Sequence, residues 1–441
     1  MEIKSYKYNK GIKFEEKSPY VVVEGTETLG VPQYIFVPLK QFKGAIPLLM
    51  VEIGERVHVG SVLAKGRTGV ILSPATGEVV AVEKRPSAHG GVCDHVIIAT
   101  STEDRYYRLP ELKDTQLSPA AILKRIFECG LINNDGIPLY KKLTIEEGEV
   151  VEAIVINVCT DEPFVNSTVC LLNTMPQQII KAIEYLVKAV GVNTVKIAVT
   201  DNSYAGLDAF LEALKEYKGL IKFEVAKVGN NYPVGDEEIL TSVLRKGKKV
   251  PNGKAKPKMI VIDAAVCFSV YQAVARGYAD DYKLITVLGV GQHGNEQKNV
   301  WVKVGTTIGD ILIQTRFGDY GNITKIVVGG PMRGKAVSGF DVAITKTTKS
   351  VLFMSGMEGA LNLESKCIGC GKCVKVCPIN LLPYRLDELS QNEDYDGCKK
   401  FGVEACTKCG CCAYVCPTRR HLVQRISYAK DVIDGKGGGR V

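Results

Sequence analysis

Tryptophan occurs once in the 441 residues, and aromatic side chains together make up 7% of the chain. Scattered rings under a net charge of +8 do not build the platform of stacked bases between cations that nucleic-acid binding uses. No nucleic-acid partner is expected. Histidine is nearly as scarce: His58, His89, His95, His293 and His421 are the full set. None stands in a nucleophile–His–acid pattern, so no catalytic residue is assigned. Long apolar runs are missing too; residues 45–51 fall far short of the roughly 20 that a membrane-crossing helix needs. Residues 1–17 are charged and lack the apolar stretch and small-residue cleavage site of a secretory signal. The reading is a cytoplasmic chain that reaches the inner face of the cell membrane, if at all, through partner subunits. Low-complexity tracts are also absent. With 46% hydrophobic and 24% charged residues the composition is that of a globular protein, and its length suits about three or four units of roughly 100–200 residues each.

Cysteine, by contrast, is plentiful. Ten of the fifteen cysteines fall between Cys367 and Cys416, a clustering that favours metal over disulfides in a chain with no secretory signal. Cys367-Ile-Gly-Cys370-Gly-Lys-Cys373-Val-Lys-Val-Cys377-Pro378 is repeated as Cys406-Thr-Lys-Cys409-Gly-Cys-Cys412-Ala-Tyr-Val-Cys416-Pro417. In C-x2-C-x2-C-x3-C-P, three closely spaced thiolates wrap one [4Fe–4S] cubane, and the fourth reaches the other cluster. Cys367, Cys370, Cys373 and Cys416 are therefore assigned to one cluster, and Cys406, Cys409, Cys412 and Cys377 to the second. Zinc prefers tetrahedral sites built from separate C-x2-C knuckles, which a third cysteine two residues on does not suit. Two cubanes so close in sequence are expected within tunnelling distance, as a wire. Cys398 and Cys411 are left over as packing residues, and Cys93, Cys129, Cys159, Cys170 and Cys267 lack ligand spacing and read as buried small hydrophobes.

Ahead of the clusters the pattern changes twice. Over residues 17–102, short apolar runs split by glycine and proline (34–38, 48–53, 71–73, 79–82) predict many short strands. The hairpin-like Val51-Glu-Ile-Gly-Glu-Arg-Val-His-Val-Gly60 and Ser73-Pro-Ala-Thr-Gly-Glu-Val79 are similar to a lipoyl-like barrel-sandwich hybrid; Lys65 lacks the flanking residues of a modified carrier lysine. Ser118-Pro119 is an N-cap with proline at the first helical position. Strands are then expected at 151–157, 195–200, 223–228 and 259–262, with helices at 176–190 and 204–217. Such alternation argues for a mostly parallel α/β sheet with its ligand at the strands' carboxyl ends. The lysine-rich 245–258 reads as a solvated loop and Gly289-Val-Gly-Gln-His-Gly294 as a turn. Strands at 283–289, 299–304 and 325–328 around a helix at 307–314 suggest a β-grasp unit. The expected domains are 1–110 (barrel-sandwich), 115–280 (α/β), 281–350 (β-grasp), 355–430 (helical dicluster ferredoxin) and 431–441 (tail).

Several strings give this order of modules a family likeness: Val37-Pro-Leu-Lys-Gln-Phe-Lys-Gly-Ala-Ile-Pro47, Tyr232-Pro-Val-Gly-Asp-Glu237, Val328-Gly-Gly-Pro-Met-Arg-Gly334, and Pro378-Ile-Asn-Leu-Leu-Pro383 after the first cysteine run. Over nearly its whole length the chain resembles RnfC, the peripheral iron–sulfur subunit of the Rnf complex that couples ferredoxin and NAD to ion pumping. The resemblance implies a Rossmann-like domain similar to the flavin-bearing, NADH-binding subunit of respiratory complex I, with FMN and NADH as cofactors. It further implies other redox subunits as partners and ferredoxin or NADH as electron source. Gly136, Lys142, Asn157 and Glu162 are the FMN-side residues it points to. Where the family carries Gly-Gly-Ala-Gly-Phe-Pro-Thr around the flavin phosphate, this chain has Gly130-Leu-Ile-Asn-Asn-Asp-Gly-Ile-Pro138, and a carboxylate at Asp135 opposes an anion. Asn157-Val-Cys-Thr-Asp-Glu-Pro163 also lacks an acid at Thr160. Two readings stay open: an RnfC-like subunit with NADH- or ferredoxin-linked electron transport, and a flavin-free RnfC-like carrier or adaptor that feeds a soluble reductase such as proline reductase.

Overall fold

The computed structural model describes residues 1–14, 25–103, 105–159, 162–245, 257–291, 294–317, 320–356 and 363–435. Thr160, His293, most of the lysine-rich loop (246–256) and the end of the tail (436–441) lie outside the described residues.

Residues 29–100 form two small antiparallel sheets. One runs in the order Tyr34–Pro38, Val92–Thr100, Gly77–Pro86, Arg56–Val57; the other is Leu48–Leu49, Val62–Lys65, Val70–Leu72. Alternate residues point inward, so Ile35, Val37, Leu63, Ile71, Val79, Val96 and Ile98 close a shared core, as a half-buried strand of period two requires. The run expected at 48–53 keeps only two residues as strand. Beyond them, Met50 and Ile53 are exposed.

A five-stranded, wholly parallel sheet follows, in the order Glu2–Ser5, Lys222–Lys227, Thr194–Val199, Val151–Asn157, Lys258–Asp263. Its inner strands are buried at consecutive positions because helices cover both faces. Pro119–Glu128 starts where the Ser118 hydroxyl accepts from Ala121 N, and Pro176–Val190 stops at Gly191, whose φ of 78° is left-handed. The helix expected at 204–217 is two helices, Asp201–Ala205 and Asp208–Glu216. Thr200 and Ser203 close a capping box on the first, Gly206 ends it, and Asn173 Oδ1 takes the Ala209 amide of the second at 2.8 Å.

The expected 1–110 unit needs correction at its start. Glu2–Ser5 leaves the barrel and pairs in parallel with Lys222–Lys227, and Glu27–Thr28 pairs with Gly294–Lys303 in a third sheet. That sheet runs Lys335–Val337, Ile323–Val328, Ser350–Ser355, Tyr282–Gly291, Gly294–Lys303, Glu27–Thr28. The helix Ile308–Thr315, capped by Thr307, packs Ile308, Ile311 and Leu312 onto Ile285, Val300 and Phe353. Ser350–Ser355 lies between two strands of this sheet, so the boundary expected at 350 cuts through an interior strand.

Residues 363–435 form a small helical unit around Leu386, Leu389, Val403, Leu422 and Ile426. Fully buried Asp387 is clamped by Arg420 and by Arg425, the latter at 3.0 Å. Among the described residues no helix is long and apolar enough to cross a membrane.

Candidate metal centre

The two cysteine repeats fold alike because each turn carries a left-handed residue at the same place. Gly369 and Gly371 bend the first loop at φ 67° and 68°; Lys408 and Gly410 bend the second at 55° and 80°. Each bend aims a backbone amide at sulfur: Gly369 N donates to Cys367 Sγ at 3.5 Å, and Lys408 N to Cys406 Sγ at 3.4 Å. Leu381 N donates to Cys377 Sγ at 3.3 Å. Such N–H donors favour thiolate over thiol.

Electrostatic coupling reports which sulfurs face one another. Burial raises the Cys373 thiol, and Cys367 and Cys370 raise it further. Burial also raises Cys377, Cys406 and Cys412. Cys377 then feels Cys409, Cys406 feels Cys409 and Cys377, and Cys412 feels Cys409, Cys406 and Cys377. The last cysteine of the first repeat thus lies among the first three of the second. These four sulfurs line one cavity with Leu381, Leu386 and Ile426. Cys416 touches Thr418 Oγ1 at 3.3 Å, and Thr418 O accepts from Ser365 N at 3.0 Å, which brings the segment after Cys416 beside the one entering Cys367. An all-thiol donor set in two groups, with amides directed at sulfur, fits iron–sulfur clusters. Cys398 is buried against Leu386 O, and Cys411 against Tyr232 O. A hydrogen bond from Cys411 lowers the Cys409 thiol.

A cleft of about 810 Å³ adjoins this centre, reaching from Asn157 and Asp263 at the sheet's carboxyl ends past Glu162 and Arg333 to Cys406. In sheet order it opens where Val151–Asn157 meets Lys258–Asp263, beside the strand from which the chain winds in both directions. Burial opposes the charge on Asp263, but Lys349, 2.7 Å away, outweighs it and holds the carboxyl below its ordinary range.

The four FMN-side residues line or border this cleft, and each has an internal partner. Gly136 (φ 79°) donates to Asn133 O at 2.8 Å and accepts from Lys43 N at 2.7 Å. Ile137 N donates to Asp135 Oδ1 at 2.8 Å. Lys142 is held by Asp135 at 2.6 Å and by Glu237. Asn157 Nδ2 donates to Gly235 O at 2.7 Å, and its Oδ1 accepts from Cys159 N at 3.1 Å. Glu162 takes the amides of Met332 at 2.7 Å and Arg333 at 2.9 Å. A flavin phosphate requires unengaged amides and uncompensated cations. In the 133–137 turn the amides of Asn133, Gly136 and Ile137 serve the turn itself, and Lys142 already faces two carboxylates, so these groups do not fit the phosphate end of FMN.

Tyr232 and Arg333 join cleft to thiols, and no sequence pattern marked either residue singly. Tyr232 Oη donates to Cys409 O at 2.7 Å and accepts from Arg333 Nε at 3.2 Å, while Arg333 pairs with Asp236 at 2.9 Å. The available signal was the density of glycine and proline in 232–237 and 328–334.

Three family models match the chain: the RnfC barrel sandwich hybrid domain over residues 6–103, the Nuo51 FMN-binding domain over 126–274, and the 4Fe-4S dicluster domain over 360–427. Over 430 residues the chain is 28% identical to the C subunit of the proton-translocating ferredoxin:NAD(+) oxidoreductase complex of Clostridium ljungdahlii, covering 95% of this chain and 92% of that relative. It is 30% identical over 405 residues to the C subunit of the ion-translocating oxidoreductase complex of Cronobacter sakazakii, covering 89% of this chain but 51% of that relative. The chain thus spans about half the length of this second relative. A solved NAD+-reducing [NiFe]-hydrogenase in the air-oxidized state covers 72% of this chain and 55% of its own, at 15% identity and a TM-score of 0.42, too distant a likeness to carry an argument.

Proposed function

Given that this chain belongs to the RnfC family, we propose that it is an electron-transferring subunit of a multi-subunit oxidoreductase, with Cys367, Cys370, Cys373 and Cys416 holding one [4Fe–4S] cluster and Cys406, Cys409, Cys412 and Cys377 the other. One observation supports the ligand assignment: Cys377, from the first repeat, lines one cavity with Cys406, Cys409 and Cys412 of the second. When bound, the clusters supply one-electron transfer. The protein's own part is positional. Amides of Gly369, Leu381 and Lys408 stabilise the sulfurs, Leu386 and Ile426 keep water from the second group, and Lys430 Nζ ties down Cys406 O at 2.9 Å. In this reading the parallel sheet is a Rossmann-like domain, the mixed sheet a β-grasp domain, and the partners are other redox subunits on the inner face of the membrane, with NADH or ferredoxin as the electron source.

The turn at 133–137 favours a second reading within the same family, a flavin-free carrier or adaptor whose electrons come from, or go to, a soluble reductase such as proline reductase. Anaerobic reconstitution separates the two. Counting iron and acid-labile sulfide, extracting flavin and then adding NADH should give about eight irons per chain, no flavin and no bleaching if the flavin-free reading holds. Stoichiometric FMN with NADH-dependent bleaching would return the NADH-linked subunit. Fewer than about four irons would overturn the electron-transfer reading altogether.

A further inference from the structure

The two thiol groups differ in what surrounds them. The second is the more closed: Cys377 and Cys409 are buried and Cys406 and Cys412 half-buried, Tyr232 binds the Cys409 carbonyl, and a Cβ on Gly410 would lie 2.7 Å from Met332 O. The first has an open edge, with Cys367 and Cys370 exposed. Around that edge Lys366, Lys372 and Lys375 are exposed. The ion pairs described for this unit are made by Arg385, Lys408, Arg420 and Arg425, and these three lysines are outside them. No aspartate or glutamate occurs between Lys366 and Leu386, nor between Ala405 and Lys430. In the middle of the loop, between Cys367 and Cys370, Ile368 is 67% exposed. An exposed apolar side chain among exposed lysines, with neighbouring Glu364 engaged by Arg425, has the composition of a short-lived docking face: the lysines steer and orient, and the apolar side chain excludes water.

Resting on the electron-transfer reading above, we propose that the Lys366/Lys372/Lys375 rim around Ile368 is the docking face for an acidic one-electron carrier protein, which exchanges a single electron with the first cluster through the exposed Cys367–Cys370 edge. The face requires a partner with carboxylates ringing its own redox group, since like charges opposed across an interface repel it. A competing role for the lysines is to offset the negative charge of the loaded thiolate group, which would act on the potential and not on a partner.

The test uses the full chain with its clusters reconstituted. Flavodoxin serves as the acidic carrier and cytochrome c as a basic control, and binding is measured with both partners oxidised, at about 20 mM and about 200 mM salt, which spans strong and weak screening at this range. Flavodoxin is expected to bind the wild-type chain, with Kd rising at least about tenfold between the two salt concentrations. The triple variant K366E/K372E/K375E should lose flavodoxin and gain cytochrome c, and the neutral variant K366Q/K372Q/K375Q should fall between. No flavodoxin binding to the wild-type chain, or equal binding by the wild-type and reversed chains, would overturn the proposal. So would a shifted reduction potential in the variants with binding unchanged, because the lysines would then act on charge alone. Iron content separates this outcome from failure of the underlying reading: a wild-type chain that holds no clusters sinks the electron-transfer function, whereas a variant with full iron and no flavodoxin binding isolates the docking face.

Discussion

The Tyr232 hydroxyl bridges two groups, the Cys409 carbonyl and the Arg333 guanidinium. Phenylalanine there would keep the ring against Phe14 and strand a buried carbonyl, at about 1–2 kcal/mol. The expected outcome for Tyr232→Phe is full iron content with a lower urea midpoint and a shifted potential for the cluster nearer the cleft, read by EPR-monitored titration; a change in stability with both potentials fixed would make the contact purely structural. The cysteines permit a sharper test. Cys377→Ala should remove the cluster of the second repeat and Cys373→Ala that of the first, each leaving about four irons, and the two remaining EPR signals should differ. Identical residual signals would mean that each repeat holds its own cluster. That Cys377 shares a cavity with Cys406, Cys409 and Cys412 agrees with the spacing, because the fourth cysteine follows a geometry common to the motif. Tyr232 was not legible from spacing, since its role depends on a carbonyl 177 residues away.

Among the elements, those buried on two faces were the readable ones. Val151–Asn157 and Pro176–Val190 match their expected bounds, because a short run rich in β-branched residues and an apolar stripe ended by glycine each leave one solution. Glu2–Ser5 was missed for the opposite reason: Glu-Ile-Lys-Ser is short, exposed throughout and paired only at a sheet edge. What holds it is charge. Lys4, Tyr6 and buried Lys196 converge on Glu224. Burial works to raise that carboxyl, but the three hydrogen bonds outweigh it and bring it down to about 2. A carboxyl whose folded value is depressed contributes stability above its unfolded value of about 4.3 and loses it as pH falls toward the folded one. The urea midpoint should therefore decline from about pH 5 toward pH 2 in part through this residue. Glu224→Gln should flatten that part of the profile and cost about 3 kcal/mol at neutral pH, since Lys196 stays buried without its carboxylate. An unchanged profile would show the network to be idle.

At the scale of the whole molecule the cleft is assembled from every unit at once: Lys43 from the barrel, Asn157 and Asp263 from the parallel sheet, Arg333 from the mixed sheet and Cys406 from the helical unit. No single stretch of sequence holds it, which is why its wall at the sheet's carboxyl ends, with Asn157 and Glu162, could be expected from sequence and its closure by Lys43, Arg333 and Cys406 could not. Binding of a structural metal group is folding free energy for a small unit around it. Chelating the iron should thus raise amide exchange over residues 366–416 and, through Tyr232 and Met332, over 328–334, while the barrel core at Ile35 and Val96 stays protected. Exchange confined to the cysteine loops would show that the helical unit holds without its clusters.

The parallel pairing of Glu2–Ser5 with Lys222–Lys227 has a consequence for how the protein is made. Lys4 and its partner Glu224 are 220 residues apart, and a ribosome adding roughly 5–20 residues per second needs on the order of ten to forty seconds to bridge that interval. Glu2–Ser5 thus cannot join its sheet until Lys222–Lys227 has been made, after the barrel between them has been fully synthesised. A nascent chain arrested shortly before residue 222 should present a protease-sensitive Glu2–Ser5 segment ahead of an already resistant barrel.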